Sequence, residues 1–522
     1  MLHLLPIIAP LCFLLSSTLA MAGPGFRPRR TLRAVECLNF TAFLAALASA
    51  LALLVSPPGT APLLGTGYLA LSVRHDTVGA IMLVLVAFLG WIITRFGATY
   101  LDGERRQGPF AAWLSLTLAF VSLFAVSGTL LLLVASFVAT SLSLHRLLLF
   151  YPERAGARRA ARKKFILSRM ADAALAGAAL LLAHGYGTGD IATILDHARQ
   201  GVAPATVAPA ASLLALAALL KSAQFPAHGW LTEVMETPTP VSALLHAGIV
   251  NAGGYLLIRF ADVMLLAPGA LAALVMIGGF TAIFGGVVML TQSAVKTSLA
   301  WSTVAQMGFM ILQCGLALFP VALLHIVAHS LYKAHAFLSS GDAVEAVAAT
   351  RRPGPVAVPD GKAVAKAFLL AIVIYCLAGL GFGFWHKPPQ ALALGAILIF
   401  GVAYLIAQGL ADTAPRALTL RTSLHATAAA TGYFALQAAS YRLLSADLPP
   451  PPAPGPLEWA LIVLAVLSFG LVAVAQSLFP LWAYHPATTG LRVHLQNGLY
   501  VNALFDRLLN HFAMAAPASR KD

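Results

Sequence analysis

Charge is what this sequence lacks: Asp, Glu, Lys and Arg together make up 10% of its 522 residues, against about 25% in soluble globular proteins. The shortage excludes an ordinary water-soluble domain, and no hydrophilic interval is long enough for an extramembranous one. Cysteine is nearly missing as well. Cys12, Cys37, Cys314 and Cys376 are scattered through apolar segments without CxxC spacing, so they offer no zinc or redox motif. Acidic residues number 19 against 33 basic ones. The resulting net charge of +14 could be taken for a nucleic-acid signature, but the basic residues sit in short connections between apolar runs, which is a topological pattern. No nucleic acid is expected as a partner.

What is present is hydrophobicity: 59% of residues are apolar and the mean hydropathy is +0.84. With about 20 apolar residues per crossing of a bilayer, the chain reads as an all-α, polytopic membrane protein of a single domain with about fifteen spans. They fall near 2–22, 34–56, 78–95, 110–127, 129–150, 165–185, 207–225, 239–259, 264–290, 298–315, 317–348, 365–385, 391–411, 422–444 and 458–482. With the N-terminus outside, the basic clusters, including Arg158, Arg159, Arg162, Lys163 and Lys164, all gather on the inner side. Only Arg74, Arg199, Arg259, Lys387 and Arg442 are left outside, as the positive-inside rule predicts. Leu2 to Leu19 could pass for a signal peptide, yet Arg27, Arg29 and Arg30 follow the apolar run instead of preceding it. That order predicts a retained helix.

A few ionisable residues lie within the spans, where a charge costs about 2.5–3.5 kcal/mol at a helix centre and is a functional-site hypothesis by default. Lys221 ends an apolar helix just before Pro226, and Pro238 and Pro240 bracket the start of the next span. Prolines free backbone groups that neighbours or water must satisfy, and broken helices lining a wet cavity are where transporters place ion sites. The rival is a lysine snorkelling to the interface. Arg169 and Asp172 share a face of the sixth span at i, i+3, either as a self-contained pair or with Asp172 also tuning Lys221.

The eleventh span carries His325, His329 and Lys333 at i, i+4 and i+8, with His335 just beyond. Their side chains stack about 6 Å apart along one face, a spacing suited to a water-bridged proton relay of groups that titrate near neutrality. Two histidines at i, i+4 can also ligate zinc, but no HExxH glutamate and no third ligand accompany them. His246, taken alone, reads as a core histidine.

KSAQFPAHGW, ETPTPVSALLHAG, SAVKTSLAWSTVAQMGFM and HIVAHSLYKAHAFLSSG resemble the proton-translocating, antiporter-like subunits of respiratory complex I and Mrp sodium/proton antiporters, over about residues 110 to 350. Within that superfamily HAGIVNAGGYLLIRF, HSLYKAHAFLSSGDAV and VHLQNGLYVNALFDRL resemble the DabB family, membrane subunits of inorganic-carbon accumulation systems. The resemblance implies two inverted five-helix repeats with broken helices, at 110–260 and 264–411, flanked by N-terminal helices at 1–109 and C-terminal helices and a tail at 412–522. It puts Lys221 on the broken-helix lysine of the first repeat and His246 on the histidine of the following helix. Lys296 falls on the lysine that opens the SAVK helix, and His325, His329 and Lys333 on the relay segment of the second repeat.

Two departures from the antiporter-like pattern stand out. Val138 occupies the position of the glutamate that pairs with the broken-helix lysine, and LAGLGFGFWHK replaces a proline-containing, lysine-terminated segment, leaving Lys387 for that lysine's role. The resemblance further implies a subunit of a bacterial inner membrane complex, with its C-terminus cytoplasmic, that conducts protons or sodium and needs no cofactor of its own. Its partner would be a peripheral, carbonic-anhydrase-like, DabA-like subunit carrying zinc. The alternatives are a subunit of an Mrp-type antiporter or NADH dehydrogenase-like complex, and a non-conducting scaffold that holds a soluble enzyme at the membrane.

Overall fold

The computed structural model describes residues 2–23, 26–341, 360–410, 416–478 and 485–511. The N-terminal half comprises α1 (Ile8–Ala22), α2 (Arg29–Ala52), a hairpin of β1 (Gly59–Leu64) and β2 (Leu71–His75), α3 (Thr77–Tyr100), α4 (Gln107–Ala125), α5 (Leu130–Leu148), α6 (Ala155–Tyr186), α7 (Ile191–Arg199) and α8 (Val207–Lys221). It continues through short pieces, α9 (Gly229–Glu233), α10 (Thr239–Ala247), α11 (Ala252–Arg259) and α12 (Ala261–Leu265), to α13 (Pro268–Met289), α14 (Val295–Gly315) and α15 (Phe319–Leu338). The described C-terminal part holds α16 (Gly361–Leu380), α17 (Pro389–Gly409), α18 (Arg416–Leu444), α19 (Pro456–Ser477), α20 (Thr489–Gln496) and α21 (Val501–His511).

Each of the fifteen apolar segments of the sequence holds helix, but among the described residues 11 helices are long and apolar enough to cross a membrane. Three of the other segments fall short for identifiable reasons: α8 stops after 15 residues at Lys221, and α14 and α18 carry many Ser, Thr and Gln side chains. The end of the eleventh segment, beyond 341, and the basic residues Arg351, Arg352, Arg520 and Lys521 lie outside the described residues.

Connections sort to two faces. On one, Val73 bridges Ser127 and Thr129 bridges Asp190, Arg199 pairs with Asp262 at 3.0 Å, and Thr77 N donates to Asp447 at 3.0 Å. On the other, basic-rich face Arg27 pairs with Asp102 at 3.2 Å, Arg106 donates to the Phe150 carbonyl at 2.7 Å, and Arg154 pairs with Glu236 at 3.3 Å. The helices pack through small residues. A Cβ on Gly278 of α13 would collide with backbone of α14, and one on Gly308 of α14 with backbone of α13, the close approach that drives helix association where lipid removes the hydrophobic incentive.

Three features differ from the sequence reading. Residues 59–75 form an antiparallel hairpin, Thr60 opposite Arg74, turned by Gly65 and Gly67 at positive φ. Lys163 and Lys164, counted above among loop charges, are buried inside α6, which begins at Ala155. Arg259, read as an outward flanking charge, is buried at the end of α11, where its guanidinium meets Asp76, the Tyr255 hydroxyl and the Ala125 carbonyl. Asp76 caps α3 through Gly79 N at 2.8 Å. Burial pushes its carboxyl up, but the Arg259 and Arg74 guanidiniums outweigh that and hold it well below the usual carboxylate range. A buried charge persists only when paired in this way.

Candidate functional site

α8 ends at Lys221 because the chain cannot continue as helix: Ala223 takes a left-handed φ of 51° and Pro226 has no N–H to donate. Lys221 stands in the last turn of its helix, the end that a cation complements. Its Nζ donates to the Ser141 hydroxyl of α5, sits 3.9 Å from Asp172 Oδ1 of α6, and lies 3.8 Å from the centre of the Phe137 ring. Asp172 also meets Arg169 at 2.5 Å. That contact is close without hydrogen-bond alignment, and both Asp172 oxygens lack a hydrogen-bond donor. Asp172 therefore lies between two cations.

Two members of this cluster escaped sequence reasoning. Ser141 stands three residues beyond Val138 on α5, and Lys164, 2% exposed, donates to the Ser141 carbonyl at 2.9 Å. The signal was available: Lys164, Ser168 and Asp172 recur at i, i+4 and i+8, the spacing already noted on the eleventh span.

The second constellation centres on α15. His329 Nε2 contacts the His246 carbonyl at 3.1 Å, while His325 Nδ1 contacts Gln313 Oε1 at 2.9 Å, so the two imidazoles face different partners. Their ring centroids are 6.0 Å apart. Lys333 donates to the Leu299 carbonyl at 3.0 Å. The His246 ring stacks on Phe337 at 4.4 Å, with both nitrogens buried and unpartnered. Among the described residues no three His, Cys, Asp or Glu side chains converge as a metal-ligand set.

A cavity of about 30 Å³ lies beside Lys221 and reaches Ser330 of α15, with Thr140, Tyr255 and Asn251 also in its otherwise apolar wall. It has room for a water molecule. Asn251 donates to Ser330 at 2.9 Å, which ties the interruption between α10 and α11 to α15 beside His329. Lys296 and Lys387 are not gathered into these clusters. Lys296 donates to Thr239 at 3.1 Å from the first turn of α14, and Lys387 donates to Gln437 of α18 at 2.7 Å in the break before α17.

This arrangement coincides with likeness to known proteins. Residues 127–354 match the family model described as NADH:quinone oxidoreductase/Mrp antiporter, TM. The chain is 39% identical over 463 residues to the probable inorganic carbon transporter subunit DabB2 of Halothiobacillus neapolitanus, covering 86% of this chain and 82% of that protein. It is 47% identical over 282 residues to the probable subunit DabB of Hydrogenovibrio crunogenus, with 53% and 54% covered. NADH-quinone oxidoreductase subunit L of Mycobacterium tuberculosis is 33% identical over 275 residues, 52% of this chain and 43% of that one. The solved Mrp complex from Dietzia sp. shares the fold, with a TM-score of 0.58 at 22% identity over 99% of this chain and 57% of its own.

Proposed function

The chain belongs to the DabB family of inorganic carbon transporter subunits, within the superfamily of antiporter-like subunits, and from that premise we propose that it is the proton-conducting membrane subunit of an inorganic-carbon accumulation complex. Protons move down their gradient through the Lys221 cluster and the α15 histidines. Their flow drives a peripheral, zinc-bearing, DabA-like partner to hydrate CO2 to bicarbonate in one direction. Hydration chemistry and zinc belong to the partner, and this chain needs no cofactor. We assign the basic-rich face to the bacterial cytoplasm, with the N-terminus outside and the C-terminus inside. Residues 110–260 and 264–411 are assigned as inverted repeats, in which Lys221 and Lys387 mark corresponding breaks.

One observation carries the reading: a buried lysine at a helix break contacts a hydroxyl and a buried carboxylate, beside a cavity that reaches Ser330 on α15. A static anchor has no need of a charge that costs about 2.5–3.5 kcal/mol to insert. Purifying the chain from native membranes, assaying the co-purifying protein for zinc, and following CO2 hydration in vesicles with and without a protonophore tests it. Hydration that stops when the gradient collapses supports the proposal. A partner without zinc, or hydration indifferent to the gradient, contradicts it, and dependence on sodium alone points to the antiporter alternative.

A further inference from the structure

We propose that Lys164 is the proton-transfer group connecting Lys221 with the basic-rich face. The proposal rests on the reading of this chain as a proton conductor. Ser141 is held by two ammonium groups at once, with Lys164 on its carbonyl at 2.9 Å and Lys221 on its hydroxyl. Lys164, Ser168 and Asp172 form one buried stripe on α6, each about 6 Å from the next. Asp172 closes the loop at 3.9 Å from Lys221.

Toward the basic-rich face the next residue, Lys163, pairs with Glu233 at 2.6 Å and Asp506 at 2.8 Å. Those two carboxylates are 18% and 24% exposed, so water reaches the network there. Lys164 follows Lys163 on α6, and the proposed path enters at the Lys163 pairs and continues to Lys164, then Ser141, then Lys221. Three cations, Lys164, Lys221 and Arg169, surround the single anion Asp172. An uncompensated buried cation is costly and makes a poor structural device, whereas two lysines that share one mobile proton lower the net charge of the cluster from +2 to +1, and the remaining guanidinium of Arg169 is partly exposed.

In the transfer the Lys164 ammonium swings from the Ser141 carbonyl to its Oγ. Ser141 gives its hydroxyl proton to the neutral amine of Lys221 and takes a replacement from Lys164. One N–H bond breaks on Lys164 and one forms on Lys221. The Lys164 amine then takes up a proton delivered from hydronium at the basic-rich face, which leaves a water molecule, and no other reactant enters.

The test is proton uptake by proteoliposomes holding the purified complex under an imposed potential. Wild type is compared with Lys221→Ala, Lys164→Gln and Lys164→Arg at equal incorporation and verified folding. Gln keeps a donor for the Ser141 carbonyl, and Arg keeps the charge but does not release a proton. A positioned proton carrier is worth about a hundredfold in rate, so both Lys164 variants are expected to lose uptake by about that factor. Wild-type uptake in Lys164→Gln, or rescue of uptake by Lys164→Arg, overturns the proposal by leaving Lys164 a packing or charge role, as does failure of both variants to fold. No uptake even in the wild type overturns the conducting reading itself, which separates the two failures.

Discussion

Lys221 Nζ and Asp172 Oδ1 lie 3.9 Å apart, on α8 and α6, in a chain that has Val138 on α5 where the antiporter-like pattern has a glutamate. The carboxylate beside Lys221 comes from α6, the next helix in the chain after α5. Its second neighbour is Arg169, at 2.5 Å.

If Asp172 tunes Lys221, Asp172→Asn should depress proton uptake about as severely as Lys221→Ala. The double variant should be little worse than either single one, since groups in one network are not additive. Uptake rates of the three variants in the same vesicles decide this. Losses that multiply would show that Asp172 serves only Arg169.

His329→Gln should keep assembly and lose coupling. Glutamine can still donate to the His246 carbonyl, now contacted by His329 at 3.1 Å, but it does not titrate. The variant should co-purify with its partner in normal yield while gradient-dependent hydration falls toward background. Full activity would reduce the α15 histidines to core packing.

Asp76→Asn should destabilise the protein by about 3–5 kcal/mol, the cost of stranding the buried Arg259 charge. The sign of the pH effect follows from the lowered Asp76 pKa. The pair's contribution is complete above the unfolded carboxyl value of about 3.9 and is lost as pH falls through the lower folded value. Thermal unfolding in detergent should show a large drop for the variant at neutral pH and a smaller difference in acid. Equal melting temperatures at neutral pH would remove the pair from the stability account.

The sequence made the helices and the first lysine visible because apolar run length and isolated charge are strong signals in a membrane protein. Lys221, Asp172 and Arg169 meet as a cluster, and His325, His329 and Lys333 share a helix face. Lys164 was hidden because it ends a basic run that looks like solvated loop, and only the position of α6, starting at Ala155, buries it. Arg259 was hidden for the opposite reason: its partner Asp76 comes from a connection far away in sequence. Ser141 carried no signal of its own, since serine in an apolar helix is common. The hairpin at 59–75 was obscured by Pro62 and the polar turn around Gly65 and Gly67.

The most direct measurement of the central claim is the initial rate of proton uptake by proteoliposomes containing the purified complex under an imposed potential, wild type against Lys221→Ala at equal incorporation. The account predicts rapid, protonophore-sensitive uptake by the wild type. It predicts uptake near the leak of empty vesicles for Lys221→Ala, with an unchanged unfolding temperature. A folded Lys221→Ala complex that takes up protons at the wild-type rate would contradict it.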